Sequence, residues 1–280
     1  MLKGQKRHRH AAADSVKARY AGTLVGRQKE IGKLLLHISK RQSLHIYGPE
    51  GTGKSALLNW AYDNWHTIDH SLIPIYCRSS RTLRQILLHI AGFLLDHFKH
   101  LESIDKFKKV KEIEYPSDIK KLSIRHLRNL IFAYIPQDNF CVMLDHLEYV
   151  TPKINGFLTT LYEKAFVISA SRQSWKLADY EFKGRLDYCL YLIQKLRVEN
   201  LQKKESLVFM KQLCEDQCMT YRGRLFGDVH RITKGNPMMI KRIFEKAQHA
   251  EYYKNGDMNL DLILIDCRMD EVELNKKGLA

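Results

Sequence analysis

The stretch Gly48-Pro49-Glu50-Gly51-Thr52-Gly53-Lys54-Ser55 constrains this 280-residue chain more than any other. It matches the spacing G-x-x-x-x-G-K-S in full, and each fixed position has a physical reason. Gly48, Gly51 and Gly53 permit backbone angles and a close approach that a side chain would block. Consecutive N–H groups can then curl around a phosphate, and the following helix points its positive end at it. Lys54 is placed to neutralise β- and γ-phosphate oxygens, and the Ser55 hydroxyl to coordinate Mg²⁺. At average amino-acid usage the four fixed positions arise by chance in about one chain of this length in a hundred. Here an apolar strand, Leu44 to Tyr47, comes before the loop and a helix follows, which is the context the pattern requires. The chain is expected to bind a nucleotide, with Lys54 facing solvent while the loop is empty.

Composition excludes several other classes. Hydrophobic residues make up 45% and charged residues 28%, a globular balance rather than a disordered one. The longest apolar stretch, Ile86 to Leu95, is interrupted by His89 and falls short of the ~20 residues a bilayer span needs. No membrane association is expected. The amino terminus lacks the apolar centre of a secretory signal, so residues 1–20 read as a flexible basic arm. Six scattered cysteines, with Cys214 and Cys218 the only close pair, read as reduced thiols in a cytoplasmic protein.

The balance of 46 basic against 31 acidic residues leaves +15. Lys3, Lys6, Arg7, Arg9, Lys17 and Arg19 against Asp14 contribute +5 of it, and Lys106, Lys108, Lys109 and Lys111 form a second cluster. Such runs fit a polyanion through counterion release, and fit solvated faces equally well.

Hydrophobic periodicity places helices over Arg27–Ser39, Ser55–Trp65, Thr82–His97, Ile119–Ile135 and near Asn155–Glu163. Short apolar runs at Ser43–Tyr47, Leu72–Cys77, Phe140–Leu144, Ala165–Ala170 and Leu196–Val198 read as strands, with Pro74 awkward in its own. Strands alternating with helices imply a parallel sheet covered on both faces, a three-layer α/β/α core over residues 21–200. From Lys203 the pattern is helical only, at Glu205–Cys218, Arg224–Lys234 and Pro237–His249. A small all-helical lid is therefore expected over residues 201–280. Leu260–Ile265 is apolar and short, and fits a strand or a helix.

Phe140-Cys141-Val142-Met143-Leu144-Asp145 is an apolar strand that ends in an acid. Parallel strands end at the sheet edge where phosphates bind, which puts Asp145 in place to hold Mg²⁺ through a water. An acid there also serves as a common helix cap. Hydrolysis needs a group that orients or deprotonates water. Glu148 is the nearest candidate for that role, and an ordinary solvated acid is the alternative.

These segments resemble the AAA+/STAND group of P-loop ATPases, close to the small origin-recognition and archaeal types, over roughly residues 24–245. Leu24-Val25-Gly26-Arg27-Gln28-Lys29-Glu30-Ile31 is similar to the segment that precedes the first strand in these proteins. The resemblance implies that Val25, Gly26 and Arg27 lie near the adenine, with Ala56 closing the set beyond the loop. The loop and the Asp145 strand resemble the Walker A and Walker B motifs. Phe166-Val167-Ile168-Ser169-Ala170-Ser171-Arg172 resembles the strand that ends in a polar sensor, with Arg172 facing the γ-phosphate. A surface arginine paired with a carboxylate is the alternative for Arg172. Gly235-Asn236-Pro237 resembles the lid-helix motif, which implies a nucleotide contact by Pro237, and it also fits a plain helix stop and restart. His146 stands where AAA+ enzymes usually place a catalytic glutamate, so hydrolysis is expected to be slow.

The reading is an ATP- and Mg²⁺-binding ATPase in which nucleotide fixes core against lid as a switch. It is expected to exchange ATP for ADP and to act through a protein partner or self-assembly. The alternatives are a nucleic-acid-associated ATPase of the replication or transposition loader type, using the basic arm, and a small-molecule P-loop kinase. No base-reading motif is present, and no acceptor-binding constellation supports the kinase.

Overall fold

The computed structural model describes residues 24–100, 116–137, 139–148, 150–172, 189–190, 192–217, 223–254 and 257–276. The basic arm, the Lys106–Lys111 cluster and Cys218 lie outside these residues. The chain divides into two compact units, Met1–Pro49 with Lys54–Val198, and Glu50–Gly53 with Glu199–Ala280.

The first unit is built on β1 (Leu44–Tyr47), β2 (Ile73–Cys77), β3 (Phe140–Leu144), β4 (Phe166–Ser171) and β5 (Gln194–Arg197). All pair parallel, in the order β2-β3-β4-β1-β5. α1 (Gln28–Lys40) precedes β1, and between the strands run α2 (Lys54–Asp63), α3 (Trp65–Ile68), α4 (Leu83–His100), α5 (Ile124–Tyr134) and α6 (Pro152–Lys164). Side chains alternate across a strand, and both faces of this sheet are buried. Val142 and Leu144 pack on one side with Leu87, Leu127 and Leu158, whereas Cys141 and Met143 pack on the other with Leu34 and Leu58. The expected three-layer core is therefore present. Pro74 fits because β2 is an edge strand, where a missing N–H leaves no inner ladder bond unmade.

The helix expected over Ile119–Ile135 is divided. A 3₁₀ segment, Pro116–Lys121, precedes α5, and the Ser123 hydroxyl accepts from His126 N at 3.3 Å to start the helix afresh. Thr151 and Pro152 start α6 in the same way, Thr151 Oγ1 accepting from Ile154 N at 3.3 Å. A polar chain crosses the core between β1 and β4. His45 Nδ1 meets Ser169 Oγ at 2.8 Å, His45 Nε2 meets Ser171 Oγ at 3.1 Å, and Tyr162 Oη meets Ser169 Oγ at 2.7 Å. Each buried polar atom in it has a partner, as burial demands.

The second unit holds α7 (Lys203–Asp216), α8 (Gly223–Thr233), α9 (Pro237–Lys246) and α10 (Leu260–Lys276). Its core gathers Met210, Phe226, Val229, Ile240, Phe244 and Ile263. One feature departs from a purely helical appendage. A small antiparallel hairpin, β6 (Tyr253–Lys254) with β7 (Asp257–Met258), precedes α10. The segment left open between strand and helix is the first turn and a half of α10. No helix among the described residues is long and apolar enough to cross a membrane.

Candidate nucleotide-binding site

The loop joins β1 to α2, and three of its glycines carry backbone angles that L side chains rarely adopt: φ is 156° at Gly48, 75° at Gly51 and 95° at Gly53. A Cβ at Gly53 would meet nothing within 4 Å, so only its backbone angle demands glycine. Within the second unit, a Cβ at Gly51 would lie 2.5 Å from Asn236 Oδ1 and 2.8 Å from Met238 Cβ. Asn236 Nδ2 donates to the Glu50 carbonyl at 2.8 Å, and Met238 N donates to the Gly51 carbonyl at 3.2 Å. The same Asn236 caps α9, its Oδ1 accepting from Met239 N at 3.1 Å. Pro237 occupies the first turn of α9, where its missing N–H costs nothing. Asn236, rather than Pro237, is the residue of that motif that reaches the loop segment.

Lys54 corrects one expectation. It is buried, not solvent-facing, and its Nζ donates to the Gly48 and Pro49 carbonyls, each at 2.8 Å. These two charge-assisted bonds pin the ammonium to the Gly48–Pro49 end of the loop. Thr52 is fully buried, Ser55 is half-buried at the start of α2, and Glu50 and Ala56 are exposed.

Asp145 follows β3 and is buried. Its Oδ1 accepts from His146 N at 2.8 Å, and its Oδ2 accepts from Tyr76 Oη at 3.3 Å. His146 Nε2 lies 3.8 Å from Oδ2. Burial, and next the Asp145 charge, push the Tyr76 phenol well above its ordinary pKa, so it stays a donor. Tyr62 packs against the Tyr76 ring at 5.3 Å, and the Arg78 guanidinium sits 5.9 Å from its centroid. Ser80 N donates to the Asp145 carbonyl at 2.9 Å, and the buried Ser80 hydroxyl has no hydrogen-bond partner.

His146 takes φ 54°, a left-handed conformation that histidine adopts more readily than most residues. This turn lets Leu147 N bond the Ala170 carbonyl at 2.9 Å and carries Glu148 to the end of β4. There Glu148 Oε2 accepts from Arg172 N at 3.2 Å, and Oε1 lies 3.7 Å from Arg172 Nε. Two residues singled out separately, Glu148 and Arg172, are thus partners. Gly48, Asp145 and Arg172 follow β1, β3 and β4 at one carboxyl edge of the sheet, the edge where open α/β sheets bind ligands.

Upstream, Val25 and Gly26 (φ 70°) form the turn into α1. Arg27 is buried, and its Nη1 pairs with Glu30 Oε1 at 3.3 Å. Among the described residues no three His, Cys, Asp or Glu side chains gather to hold a metal. A divalent ion here would depend on Ser55, Asp145 and phosphate oxygens. The donor set is oxygen only and suits Mg²⁺.

Tyr76 escaped the sequence reading because a lone aromatic in an apolar strand reads as core packing. Its signal is positional: Tyr76 pairs with Met143 in register, two residues before Asp145.

In overall structure the chain is similar to the Walker-type ATPase Paby2304 of Pyrococcus abyssi, with a TM-score of 0.60 and 18% identity over 91% of this chain and 76% of that one. It is also similar to the Aeropyrum pernix ORC1 protein, solved in complex with DNA, with a TM-score of 0.63 and 13% identity over 92% and 69%. The chain has the AAA+ P-loop ATPase fold. The Aeropyrum pernix ORC2 protein matches this AAA+ fold at a TM-score of 0.53 and 15% identity, over 86% of this chain and 66% of that one. No protein-family model and no curated protein matches the sequence.

Proposed function

We propose that the chain binds ATP with Mg²⁺ and hydrolyses it slowly, as a nucleotide-dependent switch. The single observation that carries this is the loop: glycines at φ 75° and 95°, with Lys54 Nζ held 2.8 Å from each of two loop carbonyls. Lys54 exchanges a carbonyl partner for phosphate oxygens, and the loop amides bind the remainder. ATP supplies the phosphoanhydride bond that is broken. Ser55 and Asp145 hold the metal. Tyr76 and the His146 amide fix the Asp145 carboxylate so that its oxygens are presented in one orientation. Glu148 takes the proton of the attacking water, and Arg172 stabilises developing negative charge.

Slow turnover is supported by the Glu148–Arg172 pair, because Glu148 Oε2 already accepts from Arg172 N at 3.2 Å and that oxygen is engaged by the protein rather than by a water. The switch reading is supported by Glu50–Gly53, which bond to Asn236 and Met238 of the helical unit. Occupancy of the loop therefore bears on the helices. The division into residues 21–200 as ATPase core and 201–280 as lid is part of this proposal.

Thermal unfolding with and without Mg·ATP tests it. Ligand at 100 times Kd adds ~2.7 kcal/mol, which raises the midpoint by roughly 5 °C or more. An unchanged midpoint with ATP, ADP and GTP contradicts the proposal.

A second reading, action on nucleic acid, is favoured by the +15 charge and by the Aeropyrum pernix ORC1 protein, which was solved in complex with DNA. Binding would weaken steeply as salt rises. Removal of residues 1–19 would lower it, and affinity unchanged by that deletion would exclude the arm as the contact.

A further inference from the structure

A line of polar side chains crosses the first unit among apolar neighbours. His45, Ser169 and Ser171 are buried, on the face of the sheet that also carries Val142, Leu144 and Val167. Register explains how they meet. His45 pairs with Ser169 and Tyr47 with Ser171 across β1 and β4, so the imidazole lies between two hydroxyls of one strand face. Nδ1 meets Ser169 Oγ at 2.8 Å, and Nε2 meets Ser171 Oγ at 3.1 Å. Tyr162 of α6 extends the line, its Oη meeting Ser169 Oγ at 2.7 Å. Ser171 ends β4 opposite Tyr47, the residue before Gly48, and is followed by Arg172. The line therefore runs from α6 to the sheet edge that carries the phosphate loop.

Such a line has a direction. A hydroxyl has one proton to give, and a neutral imidazole donates through one nitrogen and accepts at the other. Burial disfavours the charged ring. A phenol is a stronger acid and a weaker acceptor than an aliphatic alcohol, so Tyr162 donates to Ser169. Burial also pushes the Tyr162 phenol far above its ordinary pKa, which keeps its proton in place. The other choices follow in turn. Ser169, having accepted from Tyr162, donates to His45 Nδ1. If Nδ1 donated instead, Ser169 would accept twice and its own proton would have no acceptor in the line. His45 is then the Nε2–H tautomer and donates to Ser171 Oγ. Ser171 accepts from the ring, and its own proton turns away from it. With the line reversed, Ser171 would give that proton to His45.

The line is not needed to hold β1 to β4, because the main-chain ladder of the parallel pair does that. Apolar residues of similar size would pack at the same seam without the cost of burying polar groups. What the polar line adds is a hydroxyl of defined direction beside the phosphate loop. We propose that Tyr162 and His45 are positioning residues of the nucleotide site, fixing the Ser171 hydroxyl as a donor to the terminal phosphate of ATP. This rests on the reading of the loop as an ATP site. Tyr162 and His45 act through Ser171 and make no nucleotide contact of their own. A donor directed at the terminal phosphate serves ATP and has no counterpart in ADP, so the preference between the two is set in part from α6.

Two measurements test this. The first needs no nucleotide: long-range proton–nitrogen correlation spectra of the full chain with isotope-labelled histidine, the His45 signals assigned by their loss in His45→Gln. Wild type should show His45 as the Nε2–H tautomer alone. Tyr162→Phe, which lacks the first donor of the line, should show a mixture with Nδ1–H. The second is a double-mutant cycle in ATP and ADP affinity, read by calorimetric titration. Ser171→Ala should weaken ATP roughly tenfold or more and leave ADP within about twofold. Tyr162→Phe should weaken ATP severalfold with ADP unchanged. The two together should do no worse than Ser171→Ala alone, because Tyr162 acts only through Ser171.

A wild-type His45 in the Nδ1–H form, or protonated at both nitrogens, overturns the proposal, and this outcome needs no variant of Tyr162 to fold. So does a tautomer unchanged in Tyr162→Phe. Losses of ATP affinity that simply add would reduce the line to packing and equally overturn it. A wild-type chain that binds neither ATP nor ADP contradicts the ATP reading and removes the role of Ser171 with it, whereas the tautomer still reports the direction of the line.

Discussion

Tyr76 Oη donates to Asp145 Oδ2 at 3.3 Å, across the register of β2 with β3. The phenol is the second donor on a carboxylate whose other oxygen is held by the His146 amide. Loss of one hydrogen bond to a charged group costs about 1.5–3 kcal/mol. Tyr76→Phe should therefore lower Mg²⁺-dependent turnover by roughly one to two orders of magnitude and leave ATP affinity within about threefold. Steady-state kinetics across a Mg²⁺ titration separate the two effects. Turnover equal to wild type would remove Tyr76 from the site.

Glu148 and Arg172 make opposite predictions at the same contact. Glu148→Gln keeps shape and loses the base, so kcat should fall at least about tenfold with affinity unchanged. Arg172→Ala keeps the backbone N–H that Glu148 Oε2 accepts from and removes the cation, so affinity for ATP should fall more than affinity for ADP. Single-turnover measurements with both nucleotides distinguish these cases. Unchanged kcat in Glu148→Gln would assign the base elsewhere.

Gly51 is constrained twice, by φ 75° and by Asn236 Oδ1 2.5 Å from where a Cβ would sit. Gly51→Ala should abolish nucleotide binding and lower the melting midpoint, since a left-handed alanine costs about 1–2 kcal/mol before any clash. Gly53→Ala meets nothing within 4 Å and should lose only the backbone cost. Equal midpoints for wild type and Gly51→Ala would contradict the contact.

Thiol chemistry offers an independent check on the core. Burial raises Cys77 and Cys141 far above the ordinary thiol range and pushes Cys189 up to about 12. All three should stay protonated at pH 8 and resist maleimide in the native state, reacting only after denaturation. Rapid native labelling of Cys77 or Cys141 would mean that β2 and β3 open readily.

The parts of this molecule that obey local rules were legible in its sequence. The Gly48–Ser55 spacing, four apolar strands and the alternation of strand with helix each carry their own signal, and together they specify a parallel sheet with the loop at its edge. The fifth strand, Gln194–Arg197, has one buried apolar residue, Leu196, and begins two residues before the run Leu196–Val198. What escaped was set by distant contacts. The burial of Lys54 depends on the Gly48 and Pro49 carbonyls turning inward, which no residue type announces. The break before α5 hinges on a single capping hydroxyl, Ser123, inside a continuous apolar pattern. The length of α10 was hidden because its apolar residues fall on two faces, Ile263 and Cys267 inward and Ile265 and Met269 outward, which blurs the helical period. The pairing of Glu148 with Arg172 joins residues 24 apart and needs the left-handed turn at His146.

Isothermal titration of Mg·ATP into the wild-type chain and into Lys54→Ala tests the central claim most directly. Wild type should bind with a stoichiometry near one. The variant should lose at least about a hundredfold in affinity, because it lacks the only side-chain cation inside the loop, and its nucleotide-free form should also be less stable by about 1–3 kcal/mol through the two lost carbonyl bonds. Equal affinity in the two proteins, or no heat of binding in either, would contradict the account.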